Sequence, residues 1–152
     1  MDAAFQFIVE NGGITSEDDY PYEGNDYGTC DTSKASSYAA KISSHEDVPR
    51  NNEAALLMAV AKQPVSVALE ASGFEFMHNE SGVFTGRCGT SLDHGVAIVG
   101  YGMSDEDGMK YWLVKNSGGT NWGEEGYIRI QRDVDAAERL CGIAKSASYP
   151  IA

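Results

Sequence analysis

Basic residues are scarce in this 152-residue chain, where 11 Lys and Arg stand against 23 Asp and Glu for a formal net charge of -12. Nucleic acid and anionic membrane surfaces are bound by clustered Lys and Arg, so neither is expected as a partner. Long apolar runs are lacking too. The longest strongly apolar stretch, residues 54–61, is far short of the ~20 residues that cross a bilayer. The first residues lack the charged-then-apolar order of a signal peptide. Cysteine is limited to Cys30, Cys88 and Cys141, an odd count that cannot pair completely within the chain. Histidine is limited to His45 and His78, both in polar surroundings, and His94, at the entry of an apolar run.

What remains is a folded composition. Apolar residues make up 42% and charged residues 22%, with no repeat and no low-complexity tract. The length suffices for one ordinary globular domain, or one and a fraction. The acidic balance is compatible with an acidic compartment, where partial protonation of carboxylates relieves self-repulsion. Asn79-Glu80-Ser81 is an N-glycosylation sequon, relevant only on the secretory route.

Local pattern gives a coarse map of the elements. Residues 3–11 read as a short amphipathic helix, and Gly12-Gly13 supplies its left-handed stop. Residues 14–44, rich in Ser, Asp, Gly and Tyr, have no sustained period and read as a long irregular excursion. Asn51 or Asn52 caps a second helix running to Ala61, which Pro64 forbids from continuing. Val65, Val67 and Leu69 then alternate with Ser66, Ala68 and Glu70, and further strand-like runs span 94–101, 109–115 and 126–131. Gly-rich or acidic turns separate them, which favours an antiparallel sheet or partly closed barrel. The expected class is α+β with a β-rich second part.

A histidine at a strand start is usually structural, but its company changes that reading. Leu92-Asp93-His94-Gly95-Val96-Ala97-Ile98-Val99-Gly100 is followed by Tyr111-Trp112-Leu113-Val114-Lys115-Asn116-Ser117 and by Gly119-Thr120-Asn121-Trp122-Gly123. A thiol needs a neighbouring base to become a thiolate, and an imidazole needs an acceptor that holds its tautomer. His94 and Asn116 stand at the start and end of two successive strands, which an antiparallel hairpin brings side by side. In these segments the chain resembles the papain family of cysteine peptidases. The resemblance runs from Tyr20-Pro21-Tyr22 through Gln63-Pro64-Val65-Ser66-Val67 to Cys141-Gly142-Ile143-Ala144 and Tyr149-Pro150. Across Arg129-Ile130-Gln131-Arg132-Asp133 it looks most like plant enzymes of the senescence-associated or vacuolar kind.

The resemblance implies a cysteine endopeptidase with His94 as base and Asn116 as orienter, acting on a polypeptide substrate without cofactor or metal. It implies that residues 1–46 are the remainder of the left, helical lobe and residues 47–152 the right, barrel-like lobe. It implies that Cys88 and Cys141 form a disulfide, leaving Cys30 unpaired. Ala68, Leu92, Gly95 and Ser146 match positions lining a substrate pocket, and Trp122 matches a wall on the leaving-group side. It implies the secretory route, ending in a vacuole, a lysosome or outside the cell.

Two departures qualify these expectations. The family's nucleophile motif, of the type C-G-[SA]-C-[WY], and its oxyanion-hole Gln do not occur in the chain. Gly118 stands where the family has a Trp that covers the His-Asn hydrogen bond. Met1 falls at an internal family position, so a truncated chain is expected, inactive alone and needing a separate N-terminal lobe. The competing expectation is a non-catalytic pseudoenzyme or truncated product that at most binds peptides.

Overall fold

The computed structural model describes residues 1–25 and 27–152. They divide into two compact units, 1–46 with 150–152, and 47–149.

In the first unit, helix α1 (Asp2–Asn11) ends at Gly12, whose φ of 81° lies in the left-handed region and whose N–H donates to the carbonyls of Ile8 and Val9. The glycine stop works as the sequence indicates, because a residue without Cβ adopts that conformation at little cost. The segment after it is less irregular than its composition suggests. Ile14 bridges to Ala40, the Tyr38 hydroxyl donates to the Asn11 carbonyl, and Asn11 Nδ2 donates to the Ala35 carbonyl at 3.0 Å. A one-turn helix α2 (Thr32–Ala35) is capped by Asp31, whose carboxylate accepts from the N–H groups of Ser33 and Lys34. Strand β1 (Ser44–Asp47) closes the segment.

The second unit is built round a sheet. Helix α3 (Glu53–Val60) is capped by Asn52, whose Oδ1 accepts from Ala55 N–H at 2.9 Å. Asn51, the alternative cap, instead takes a φ of 56° at the turn before it. Strands β2 (Val65–Leu69), β4 (His94–Met103), β5 (Lys110–Lys115) and β6 (Tyr127–Gln131) follow the pattern read from the sequence. A one-turn helix α4 (Phe74–Met77), a two-residue strand β3 (Val83–Phe84), a 3-10 turn at Leu140–Gly142 and strand β7 (Ala147–Ile151) complete the chain. The sheet order is β1-β7-β2-β4-β5-β6-β3. The pairs β2 with β4, β2 with β7, β4 with β5 and β5 with β6 are antiparallel, whereas β3 runs parallel to β6. The α+β expectation holds, with a mixed sheet in place of a purely antiparallel one.

Alternation in β2, β5 and β6 buries one face: Val65, Val67, Leu69, Trp112, Val114, Ile128 and Ile130 are fully enclosed, with Leu56 of α3 packed among them. A buried carboxylate ties this core to the 132–142 loop. Glu53, 6% exposed, accepts from the Trp112 indole at 3.2 Å and from Asp133 N–H at 3.2 Å, and lies 3.1 Å from the Arg139 guanidinium. Its burial is tolerable because donors surround it.

The Cys88–Cys141 disulfide is present, with Cα atoms 4.9 Å apart, and Cys30 is free and exposed. The loop carrying Cys88 is pinned by carboxylates. Glu70 accepts from the N–H groups of Gly89 and Ser91 at 2.9 and 2.6 Å, and Glu75 from that of Arg87 at 2.6 Å.

Candidate active site

His94 opens β4 and is paired in register with Leu69, the last residue of β2. Because directly opposed residues share a sheet face, His94 lies on the face that Val96 and Ile98 bury, at the end where that face opens. Asn116 directly follows β5. Lys115 is paired with Ala97, and Asn116 N–H donates to the Gly126 carbonyl at 3.0 Å, which fixes its backbone between two strands. A bulge between Ile98 and Gly100 adjusts the hairpin that carries both residues.

Their side chains meet, with His94 Nε2 and Asn116 Oδ1 2.8 Å apart. The chemistry of a third group fixes the direction of this bond. Ser117 N–H donates to the same Asn116 atom at 2.8 Å, and of the two carboxamide atoms only the oxygen can accept, so that atom is the amide oxygen. The oxygen has no proton to give, so Nε2 of His94 carries the proton. The other ring nitrogen, Nδ1, is then left with a lone pair, which is the state a base requires.

Beside the pair lies a cavity of about 550 Å³ lined by Ala71, Ser72, Phe76, Met77, Asp93, His94, Asn116, Ser117, Gly118 and Trp122. Its wall is largely apolar. Phe76 stacks obliquely on Trp122 with centroids 5.6 Å apart, and the Trp122 indole donates to the Met77 carbonyl at 3.0 Å. Asp93 supplies an anion at the rim. Its carboxyl is held below the usual carboxylate range, first by Ala71 N–H, then by the Ser72 hydroxyl, with smaller help from the charged form of His94. At Gly118, an added Cβ would sit 3.4 Å from Trp122 Cβ, ordinary van der Waals contact, so the backbone there leaves room for a side chain.

The remaining residues singled out from the sequence are placed as follows. Trp122 lines the cavity with His94 and Asn116. Ala68 faces Gly95 across β2 and β4, and its N–H donates to the Ser146 carbonyl at 3.0 Å, which puts those three side by side on the sheet. Leu92 approaches Gly142, with 3.0 Å between its Cδ2 and an ideal Cβ there. None of these four lines the His94 cavity. Sequence reasoning missed Ser72, Asp93, Phe76 and Met77 as neighbours of His94. Asp93 adjoins it in the chain, but nothing local signals that α4 folds over the same opening. Both cysteines of the second unit are consumed by the disulfide, and Cys30 lies in the first unit, where it lines a separate cavity among residues 14–34.

Comparison with known proteins gives this arrangement a lineage. Residues 1–151 match the family described as papain family cysteine protease. Vignain of Ricinus communis is 62% identical over 151 residues, which are 99% of this chain and 41% of the relative. The KDEL-tailed cysteine endopeptidase CEP2 of Arabidopsis thaliana is 60% identical over 151 residues, again 99% of this chain and 41% of the relative. The bromelain protease of Ananas comosus, whose structure was determined with an inhibitor, superposes with a TM-score of 0.93 at 47% identity, covering 99% of this chain and 68% of that one. The chain thus spans about two fifths of the length of the curated relatives it matches. No helix among the described residues is long and apolar enough to cross a membrane. The chain belongs to the papain family of cysteine proteases.

Proposed function

We propose that this chain supplies the base and the orienting amide of a Cys-His-Asn cysteine endopeptidase, His94 and Asn116, and that a thiol outside these 152 residues completes the site. The 2.8 Å bond from His94 Nε2 to Asn116 Oδ1 carries the reading, because it leaves Nδ1 unprotonated and held in place. In the reaction Nδ1 takes the proton of the thiol, the thiolate attacks the peptide carbonyl, and the resulting imidazolium returns the proton to the leaving amine. Hydrolysis of the thioester then runs through the same nitrogen with water as nucleophile.

Residues 1–46 and 47–152 correspond in this reading to the end of a helical lobe and to a β-rich lobe, with a polypeptide as substrate and an N-terminal lobe as partner. Trp122 walls the leaving-group side, and Ala68, Leu92, Gly95 and Ser146 contribute to a pocket for an apolar substrate side chain. A secretory or vacuolar location is supported by a relative that carries a KDEL tail.

The chain by itself is inactive in this proposal, because no free thiol belongs to the unit that holds His94. The second reading, a non-catalytic peptide binder, is favoured by Gly118, which lines the cavity beside the part-buried His-Asn pair and adds no side chain to shield it from solvent. One experiment separates them. The chain is assayed for peptide hydrolysis alone and after mixing with a relative's preceding segment bearing the nucleophile motif, with association of the two followed by co-elution. We expect no turnover alone, turnover in the associated mixture, and a loss of about 10²- to 10⁴-fold for His94→Ala, the range of a general acid-base catalyst. Association without turnover would overturn the catalytic reading in favour of peptide binding.

A further inference from the structure

The sequon Asn79-Glu80-Ser81 lies in the turn between α4 and β3. Glu80 and Ser81 are exposed, as an acceptor loop requires, but the reactive atom is not. Asn79 Nδ2 has less than 1 Å² of accessible surface and no hydrogen-bond partner. Asn79 borders an open groove of about 550 Å³ with Phe74, His78, Phe84 and Thr85, yet its amide nitrogen points away from solvent.

The turn is held from both sides. Asn79 N–H donates to the Phe76 carbonyl at 3.2 Å, and His78 N–H to that of Phe74 at 3.1 Å. His78 also stacks on Phe74 with centroids 4.0 Å apart and places Nδ1 2.9 Å from the Phe74 carbonyl. On the far side Gly82, at a φ of 87°, donates its N–H to Glu124 at 3.0 Å, and Glu124 is paired with Arg129 of β6. Val83 and Phe84 then register with Arg129 and Ile130, and buried Phe84 meets buried Phe76 edge to face.

N-glycosylation joins Nδ2 to the anomeric carbon of a sugar. The carbon–oxygen bond to a polyprenyl diphosphate breaks, the diphosphate leaves with the electron pair, and one amide proton passes to a base of the transferase. A pyranose ring needs open space around Nδ2, and in the folded turn that atom has less than 1 Å² of accessible surface. Exposing that nitrogen requires rotating the Asn79 side chain out or opening the α4–β3 turn, so transfer scales with the small fraction of chains open at that place.

We propose that Asn79 is a folding-gated modification site, which accepts an N-linked oligosaccharide before the second unit folds and rejects it afterwards. A glycan there marks chains that were modified ahead of folding, and it opposes closure of the α4–β3 turn.

The folded chain, with its disulfide intact, and the tryptic peptide of residues 63–87 are each incubated with an oligosaccharyltransferase and a polyprenyl-diphosphate oligosaccharide. Occupancy of Asn79 is read by mass spectrometry. We expect the peptide to be modified and the folded chain to react more than about tenfold more slowly, the open fraction of a pinned turn being small. Phe84→Ala, which loosens the turn without touching the sequon, is expected to raise the rate of the folded chain toward that of the peptide. Ser81→Ala, at an exposed position, removes transfer in every arm. Equal rates for chain and peptide would overturn the proposal. So would an unreactive peptide, since the sequon is then no acceptor, and so would a Phe84→Ala chain no faster than the parent.

Discussion

The two units of the chain bury their side chains very differently. Among the described residues, the buried apolar core lies between Val48 and Ala147, in the unit built on β2, β4, β5 and β6. In the other unit α1 contains no buried residue, Phe7 is 56% exposed, and Tyr22 and Tyr27 are 84% and 95% exposed. One region is held by packing and the other chiefly by caps, bridges and local hydrogen bonds. The contrast teaches that helix propensity and a good glycine stop define an element without giving it a core. The site follows the same division, since His94 opens β4 and Asn116 follows β5, paired strands of the unit that holds the core.

Mutations in the two units are the sharpest way to break that comparison. Leu56→Ala empties a fully enclosed position and should cost about 2 to 5 kcal/mol by urea denaturation. Replacing Cys88 and Cys141 together by Ser should cost about 2 to 4 kcal/mol, less than predicted if the carboxylate clamps of Glu70 and Glu75 hold the loop alone.

Acid should act mainly on the second unit. Asp93, Asp107, Glu124 and Asp133 there are all held below their ordinary values, the first two by backbone N–H groups, Glu124 by Arg129 and Asp133 by Lys110. Among the described residues of the first, only Asp31 is so held, by Ser33. Depressed folded values mean that unfolding takes up protons, so their contribution is fully present above the unfolded values of 3.8 and 4.5 and is lost as pH falls through the folded ones. Urea midpoints followed by tryptophan fluorescence should fall only below about pH 4.5 on account of these groups. The smallest effect is expected for Phe7→Ala, under about 0.5 kcal/mol, together with reduced binding of an apolar dye. A loss comparable to Leu56→Ala would erase the distinction between the units.

The same division explains what was legible in the sequence. The strand at 65–69 carries its own alternation, those at 94–103, 110–115 and 127–131 show as strand-like runs between turns, and the helix after Asn52 carries its cap. The elements that escaped are those whose reasons lie elsewhere in the chain. Strand β3 is two residues long and exists only because β6 offers a parallel edge. Strand β7 contains Pro150, which reads against a strand. Helix α4 is a single turn, so no period announces it, yet it brings Phe76 and Met77 to the His94 cavity. The motifs round His94 and Asn116 pointed to a pair. They did not point to Ser117, whose backbone N–H identifies the acceptor oxygen, because that role depends on the turn after β5.

The tautomer of His94 is the most direct observable. In a nitrogen NMR spectrum of the uniformly labelled chain at pH 8, we expect Nε2 protonated and Nδ1 bare, with Asn116→Ala giving a mixture of the two tautomers. A proton resident on Nδ1 in the parent chain would contradict the assignment of His94 as a base poised by Asn116.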